Sequence, residues 1–449
     1  MISRFWVWAA LGLILLGYSF LAILYATRVP TWNAPDEPAH YNVIRSIALD
    51  HQLPILRPGD YDQTTLARLM SEHFPPGESI DGLRYESHQP PLYYLIAAPV
   101  FLATIGLGTA RQVVVLRLVT AALGALLVLA TFRLAQLVFP RSAAYPLAAA
   151  AFVAFLPMHL FMNAAIDNDA LVELLLCLVL TALVEDLAKP HDGWGDIRIG
   201  VLVGLAALTK LDGDVAAVLV VAGFTGSALL ASEPRRALRR VPLRLIRSGG
   251  AALLVSGWWF IRNMLLYGPG DPFALRRHAE VVAGQPLTGS LDLPRIRGML
   301  LTAFHSFWGQ FGWMGIPYSD RTYDVLATLS ALVALGVLLH AWRIVRARGC
   351  EASGERWTLA YYRWAMGLLL LETVLVIVGV VFYNLRYLQP QGRYLFPALP
   401  ALAILAVAGI GELIRQEYTG VVLLVAGCGL YWLCIFSLFQ VILPAFAAS

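Results

Sequence analysis

The chain has 449 residues, of which 59% are hydrophobic and only 14% charged, with a mean hydropathy of +0.68. Soluble domains carry nearer a quarter of charged residues, so a soluble protein with one anchor is excluded, as are disorder, a secreted disulfide scaffold and a coiled coil. The net charge of +4 does not mark a charged partner, because most basic residues are arginines gathered in short connections; lysine occurs only at Lys189 and Lys210. Cys177, Cys350, Cys428 and Cys434 lie in apolar stretches or a basic loop, which argues against disulfides.

In chain order, apolar runs cover 5–26, 113–138, 145–163, 170–187, 197–211, 213–231, 248–266, 322–343, 359–383, 396–414 and 419–440. At about 20 residues per crossing they predict an all-α integral membrane protein, a polytopic bundle of about eleven transmembrane helices. The first run follows Met1-Ile2-Ser3-Arg4 as in a signal peptide, but it is too long for one and Tyr25-Ala26-Thr27-Arg28 is a poor cleavage site, so it reads as a retained anchor. The run 91–107 begins at Pro90-Pro91 and is short, which fits an interfacial or re-entrant helix.

Arginines in short loops set the orientation. Arg235, Arg236, Arg239, Arg240, Arg244 and Arg247 crowd one connection; Arg343, Arg346 and Arg348 follow another span; Arg133 and Arg141 flank a third. Placing all three inside puts the amino terminus inside and the carboxyl terminus outside, provided that 91–107 does not cross. One transmembrane domain then covers 1–449, with two long outer loops, 28–112 and 262–321. Asp36-Glu37-Pro38 is a helix start, and Val43, Ile44, Ile47 and Ala48 form an apolar stripe after it. Leu66, Leu69, Met70 and Phe74 repeat the spacing after Thr64-Thr65, so two short surface helices are expected, ordinary amphipathic loop helices being the simpler alternative.

Acids collect where this topology reaches the outer rim. Asp36 and Glu37 follow the first span, Asp167-Asn168-Asp169 the third, and Lys210 ends the short fifth, ahead of Asp212 and Asp214. Any one of these acids could be a plain helix cap, but three connections delivering charge to one side point to a site, since such groups are costly in lipid unless they face a cavity or each other. Asp36 and Glu37, about 100° apart on a helix, cannot both face one atom, so one is expected as a base and the other in a metal-binding or orienting role. Lone histidines usually serve hydrogen bonds, yet His88 and His305 in the outer loops are candidates to bind a metal or polarise a phosphate. Arg262 and Arg393 stand at outer span ends among aromatics, either as interface anchors or as forks for a phosphate; Gly392 before Arg393 would let backbone approach a ligand. No glycine-rich phosphate loop is present, which argues against a nucleotide-sugar enzyme.

Asn33-Ala34-Pro35-Asp36-Glu37-Pro38-Ala39-His40-Tyr41 and His88-Gln89-Pro90-Pro91-Leu92-Tyr93-Tyr94 resemble the GT-C superfamily of membrane glycosyltransferases. The likeness is to the bacterial branch that includes protein O-mannosyltransferases and lipid A aminoarabinose transferases. Asp167-Asn168-Asp169, Leu208-Thr209-Lys210 and Gln391-Gly392-Arg393-Tyr394-Leu395-Phe396-Pro397 follow in the same order, so five short motifs span nearly the whole chain. The resemblance implies a bacterial cytoplasmic membrane enzyme that takes a sugar from a polyprenyl-phosphate donor at the extracytoplasmic face. The acceptor hydroxyl would be on a lipid, glycan or protein. Asp36 would be the base, with Asp167 or Asp169 as the second acid. Lys210, Arg262 or Arg393 would neutralise the phosphate, with a divalent metal ion as an optional helper, and one base without an enzyme nucleophile implies inversion. The chain departs from the aminoarabinose transferases at His88-Gln89, where they carry an acidic-basic pair, and at Pro38-Ala39-His40, where they carry an arginine. A transporter or lipid-linked-sugar flippase is the alternative, disfavoured because no repeat is seen and the acids lie at one rim; a non-catalytic scaffold leaves the clustering unexplained.

Overall fold

The computed structural model describes residues 4–75, 77–190, 193–282, 284–347 and 359–447. Arg348 and Cys350 lie outside the described residues, and Cys177, Cys428 and Cys434 are free thiols. All the apolar runs are helical. Helix α1 (Arg4–Arg28) leads to α2 (Glu37–Asp50), α3 (Gln63–Ser71) and α4 (Leu92–Thr104). Next come α5 (Thr109–Val138), α6 (Ala144–Phe155), α7 (Pro157–Asn163), α8 (Asp169–Ala188), α9 (Gly193–Ala207) and α10 (Val215–Leu229). The rest is α11 (Pro234–Leu238), α12 (Val241–Tyr267), α13 (Leu275–Val281), α14 (Leu293–Trp308), a hairpin of β1 (Gln310–Phe311) and β2 (Ile316–Pro317), α15 (Asp320–Arg346), α16 (Leu359–Asn384), α17 (Leu399–Leu413), α18 (Gln416–Phe436) and α19 (Leu443–Ala447).

Among the described residues six helices are long and apolar enough to cross a membrane, or seven if α6 and α7, bent by 63° at Leu156-Pro157, count as one. The expected spans at 170–187, 197–211, 213–231 and 248–266 are present as α8, α9, α10 and α12 but fall short of that standard. Helices α9 and α10 have only 15 residues each, and α8 and α12 carry charged residues. Nearly every residue of α8 is buried by protein, so it tolerates Asp169, Glu173, Glu185 and Asp186. Helix α9 meets α12 through Gly200 and Gly204, where an added Cβ would come within 2.1 Å of the Ser248 carbonyl and 2.7 Å of Val255. Small residues at that spacing let two backbones approach without apolar bulk.

The two expected loop helices exist, but their apolar faces do not lie on a membrane surface. Val43, Ile44, Ala48, Leu66, Leu69 and Phe74 are all buried, in one cluster with Tyr93, Tyr94, Ala97 and Phe101 of α4. Helix α4 has 13 residues, or ~20 Å of rise, too short to cross a hydrocarbon core of ~30 Å unaided.

The arginines chosen as inside markers gather at one end of the bundle. Arg133 pairs with Glu185, Arg343 with Glu412, and Arg244 bridges Asp186 and Asp196. The last residues of α1, the first turns of α5 and the loops after α7 and α9 meet at the opposite end, around Asp36.

Candidate active site

The site begins with a strained residue. Asp36 caps α2 from the left-handed region (φ 64°, ψ −7°) and makes no side-chain capping bond. A non-glycine residue there costs about 1 kcal/mol or more, which the surrounding structure must impose. The carboxylate is thereby turned away from its own helix. It accepts from Arg393 Nη2 at 2.6 Å and from the Tyr85 hydroxyl at 2.9 Å. Burial alone would raise its pKa; the Arg393 guanidinium more than offsets this and holds the carboxyl below the usual carboxylate range. At 24% exposure its side chain remains reachable.

Glu37, by contrast, is wholly enclosed. It accepts two hydrogen bonds from Arg117 (Nε 2.6 Å, Nη2 2.7 Å) and one each from the backbone N–H groups of Trp32 and Ile166. Arg117 spends its other donors on the carbonyls of Ala26, Val29 and Pro30. The adjacent acids do diverge as helix geometry requires, but Glu37 has no lone pair free for substrate. Its expected place among the catalytic acids is corrected: it ties α1, α2, α5 and the 164–168 loop together.

His40, one turn beyond Asp36, links the next elements. Its Nδ1 lies 2.8 Å from the Tyr94 hydroxyl and its Nε2 3.6 Å from Asp167 Oδ1. Burial lowers its pKa, against the pull of Glu86, Asp36 and Asp169, so the ring is neutral near pH 7. Asp167 accepts from the Asp169 backbone N–H at 3.0 Å, and burial, then the neighbouring Asp169, raise it well above the ordinary value. Asp169 forms an ion pair with Lys210. Glu86, in the short 3₁₀ turn Tyr85–His88, is buried within electrostatic reach of His40, Asp36 and Lys210, and burial raises its pKa.

Of the sequence-predicted residues, Asp36, Asp167, Asp169, Lys210 and Arg393 are therefore brought together. Arg262 is not: it donates to the carbonyls of Leu53 and Pro54 and lies over the Trp259 ring, fastening α12 to the first loop. Gly392 serves packing rather than a ligand, since a Cβ there would sit 2.1 Å from the Ala303 carbonyl of α14. His305 stacks on Tyr323 at 3.7 Å, and His88 bonds the Tyr85 carbonyl beside His278. Among the described residues no group of three or more His, Cys, Asp or Glu side chains is placed to hold a metal ion.

Sequence reading missed His40, Glu86 and Arg117 as site residues. Two signals were there to be used. His40 lies at i+4 from Asp36, and Arg117 is a charge within an apolar span, itself a mark of an interior contact. Glu86 carried no such signal.

Burial pushes the His88 imidazole down to about 4. The unfolded chain would take up that proton near pH 6.5, so the stability due to neutral His88 is complete above that pH. It falls by about 3 kcal/mol as pH drops toward 4. Thermal unfolding between pH 4 and 7 should show a shallower acid loss for His88→Gln than for wild type; parallel profiles would refute this.

Known proteins can now be set beside this geometry. Residues 88–260 match the sequence family described as dolichyl-phosphate-mannose-protein mannosyltransferase. The archaeal oligosaccharyltransferase AglB from Archaeoglobus fulgidus, in complex with an inhibitory peptide and a dolichol-phosphate, superposes over 97% of this chain and 56% of its own (TM-score 0.54, 16% identity). ArnT from Cupriavidus metallidurans in the apo state superposes over 99% of this chain and 74% of its own (TM-score 0.53, 16% identity). The same protein bound to undecaprenyl phosphate gives a TM-score of 0.50. The fold is that of the GT-C glycosyltransferases. No curated protein matches the sequence. The chain spans only about half the length of the oligosaccharyltransferase it resembles, so the GT-C likeness assigns the transmembrane architecture and not a substrate.

Proposed function

We propose that this chain is a membrane glycosyltransferase that moves a sugar from a polyprenyl-phosphate donor to an acceptor hydroxyl on a lipid, glycan or protein. The Asp36–Arg393 contact carries the reading. It joins an ionised carboxylate suited to take a proton and a cation suited to a phosphate, at the end of the bundle where Lys210 supplies a second positive charge. Support comes from the fold, from the mannosyltransferase match, and from the dolichol-phosphate and undecaprenyl phosphate bound to the similar structures.

In the proposed step Asp36 removes the acceptor hydroxyl's proton while that oxygen attacks the anomeric carbon. The bond from this carbon to the phosphate oxygen breaks, and polyprenyl phosphate leaves with the electron pair, its charge met by Arg393 and Lys210. A single displacement inverts the anomeric centre. Burial raises the pKa of Asp167 and Glu86, whereas Arg393 lowers that of Asp36, so Asp36 is the acid whose surroundings favour the ionised form. Arg393 is shared: phosphate competes with Asp36 for the guanidinium, so donor binding loosens the base for its task.

Arg393→Ala should therefore weaken donor binding by roughly 10- to 100-fold, with little change in acceptor KM. Titration with undecaprenyl phosphate reads this directly, and unaltered affinity would leave Arg393 a packing residue.

The proposal includes about eleven crossings, with α8 enclosed by protein and α9, α10 and α12 among the passes, and a site on the extracytoplasmic face. Single cysteines placed in 139–144 should be shielded from an impermeant thiol reagent in whole cells, and those in 60–80 labelled. The reverse pattern would invert the orientation.

A further inference from the structure

Among the described residues, buried side-chain polar atoms without a hydrogen-bond partner occur on Glu86, Gln89, Asn168, Arg262, Asn263, Gln310 and Glu372. Arg262 and Asn263 share the end of α12, Gln310 lies in the hairpin after α14, and Glu372 sits midway along α16. The first three residues form one group. Glu86 Oε2, Gln89 Oε1 and Asn168 Oδ1 are all acceptors: Glu86 is within electrostatic reach of His40 and Lys210, Gln89 follows it in the same segment, and Asn168 bonds Thr209 beside Lys210. Native proteins leave few such atoms unpaired, because each costs on the order of 1–3 kcal/mol.

Neighbours dictate how each oxygen is turned. The Asn168 amide nitrogen donates to the Thr209 carbonyl at 3.0 Å; since that partner can only accept, Oδ1 must face the other way. The Gln89 side chain comes near the Glu86 carboxyl, toward which its amide N–H2 is the group able to donate, and Gln89 Oε1 has no partner. The turn that bears both is rigid. Gln89 N–H donates to the Glu86 carbonyl at 3.0 Å, Pro90-Pro91 follows, and Leu92 N–H reaches the Leu208 carbonyl at 2.9 Å, next to Thr209 and Lys210.

Three fixed acceptors call for a ligand that donates from several adjacent positions. The phosphodiester of a polyprenyl-phosphate sugar has no hydrogen-bond donor to offer at neutral pH, and a polyprenyl tail has no polar atoms. Both cations, Arg393 and Lys210, are already suited to the phosphate. Neighbouring hydroxyls on a sugar ring match the acceptors in kind and number. They would also favour the ionised form of the Glu86 carboxyl, which burial disfavours in the free site.

We propose that Glu86, Gln89 and Asn168 form the sugar-reading wall of the site and accept hydrogen bonds from hydroxyls of the transferred sugar. This rests on the glycosyl-transfer reading above. The chain's discrimination among sugars then resides in the 85–89 segment and the 164–168 loop rather than in Asp36, Arg393 or Lys210.

The test uses the full-length protein in nanodiscs and a panel of undecaprenyl-phosphate-linked hexoses, followed by the monodeoxy analogues of the one transferred best. Wild type should lose roughly 10- to 100-fold in kcat/KM on removal of at least one ring hydroxyl. Glu86→Ala or Asn168→Ala should be slow with the parent sugar but treat parent and that deoxy donor alike within about threefold, the signature of a lost pairing rather than a general defect. Gln89→Met, which keeps the shape and removes the acceptor, gives the same reading if Glu86→Ala fails to fold. Wild-type transfer with discrimination unchanged in all three variants overturns the wall and leaves the enzyme reading intact. Absence of transfer from every donor by wild type overturns both.

Discussion

Asp36→Asn should abolish sugar transfer, by about a thousandfold or more, while the protein inserts, folds and is purified as wild type. The size follows from general-base catalysis, which contributes roughly 10²–10⁴-fold. The amide keeps the shape and can still accept from Tyr85, but it cannot take a proton. It also frees Arg393 from its partner at 2.6 Å, so donor affinity should hold or rise even as turnover vanishes. Measuring radiolabelled transfer beside undecaprenyl phosphate binding separates the two effects. A folded variant with near-normal turnover would move the base elsewhere, with Asp167 and Glu86 next in line. Transport of the lipid-linked sugar across vesicles, with no covalent product, would instead support the flippase alternative.

Arg117→Ala should do the opposite, destabilising the fold by about 3–5 kcal/mol. The residue is almost fully buried, and its guanidinium joins Glu37 to three carbonyls at the end of α1. Its removal leaves the Glu37 carboxyl enclosed, retaining only the Trp32 and Ile166 N–H groups. Arg117→Lys should rescue little, because one ammonium cannot supply both the fork to Glu37 and the carbonyl contacts. A sharp fall in melting temperature and in membrane abundance is the expected readout; a variant as stable as wild type would show that the clamp is dispensable. Together the two substitutions distinguish neighbouring acids by outcome: loss at Asp36 stops chemistry, and loss of the partner of Glu37 stops folding.

Much of the site was legible before any coordinates. Asp36, Asp167, Asp169 and Lys210 could be placed on one rim because a parity count over apolar runs carries charges to a definite side. The arginine-bearing ends did gather opposite them, at Glu185, Asp186 and Glu412. Roles were harder to assign. An arginine at an outer span end looks the same in sequence whether it meets a carboxylate, as Arg393 does, or loop carbonyls, as Arg262 does. Glu37 looked as available as Asp36 because its partner, Arg117, lies 80 residues away and only tertiary packing joins them.

By itself the sequence determined the helical membrane class, the position of the helices and the end of the bundle at which charge collects. These follow from local quantities: hydropathy over about twenty residues, charge in short loops, and a proline at a helix start. Tertiary structure alone decided which acid stays free, which cation faces it and which oxygens are left without partners. A side chain's availability depends on groups brought in from distant segments, at separations of a few ångströms that no local pattern encodes.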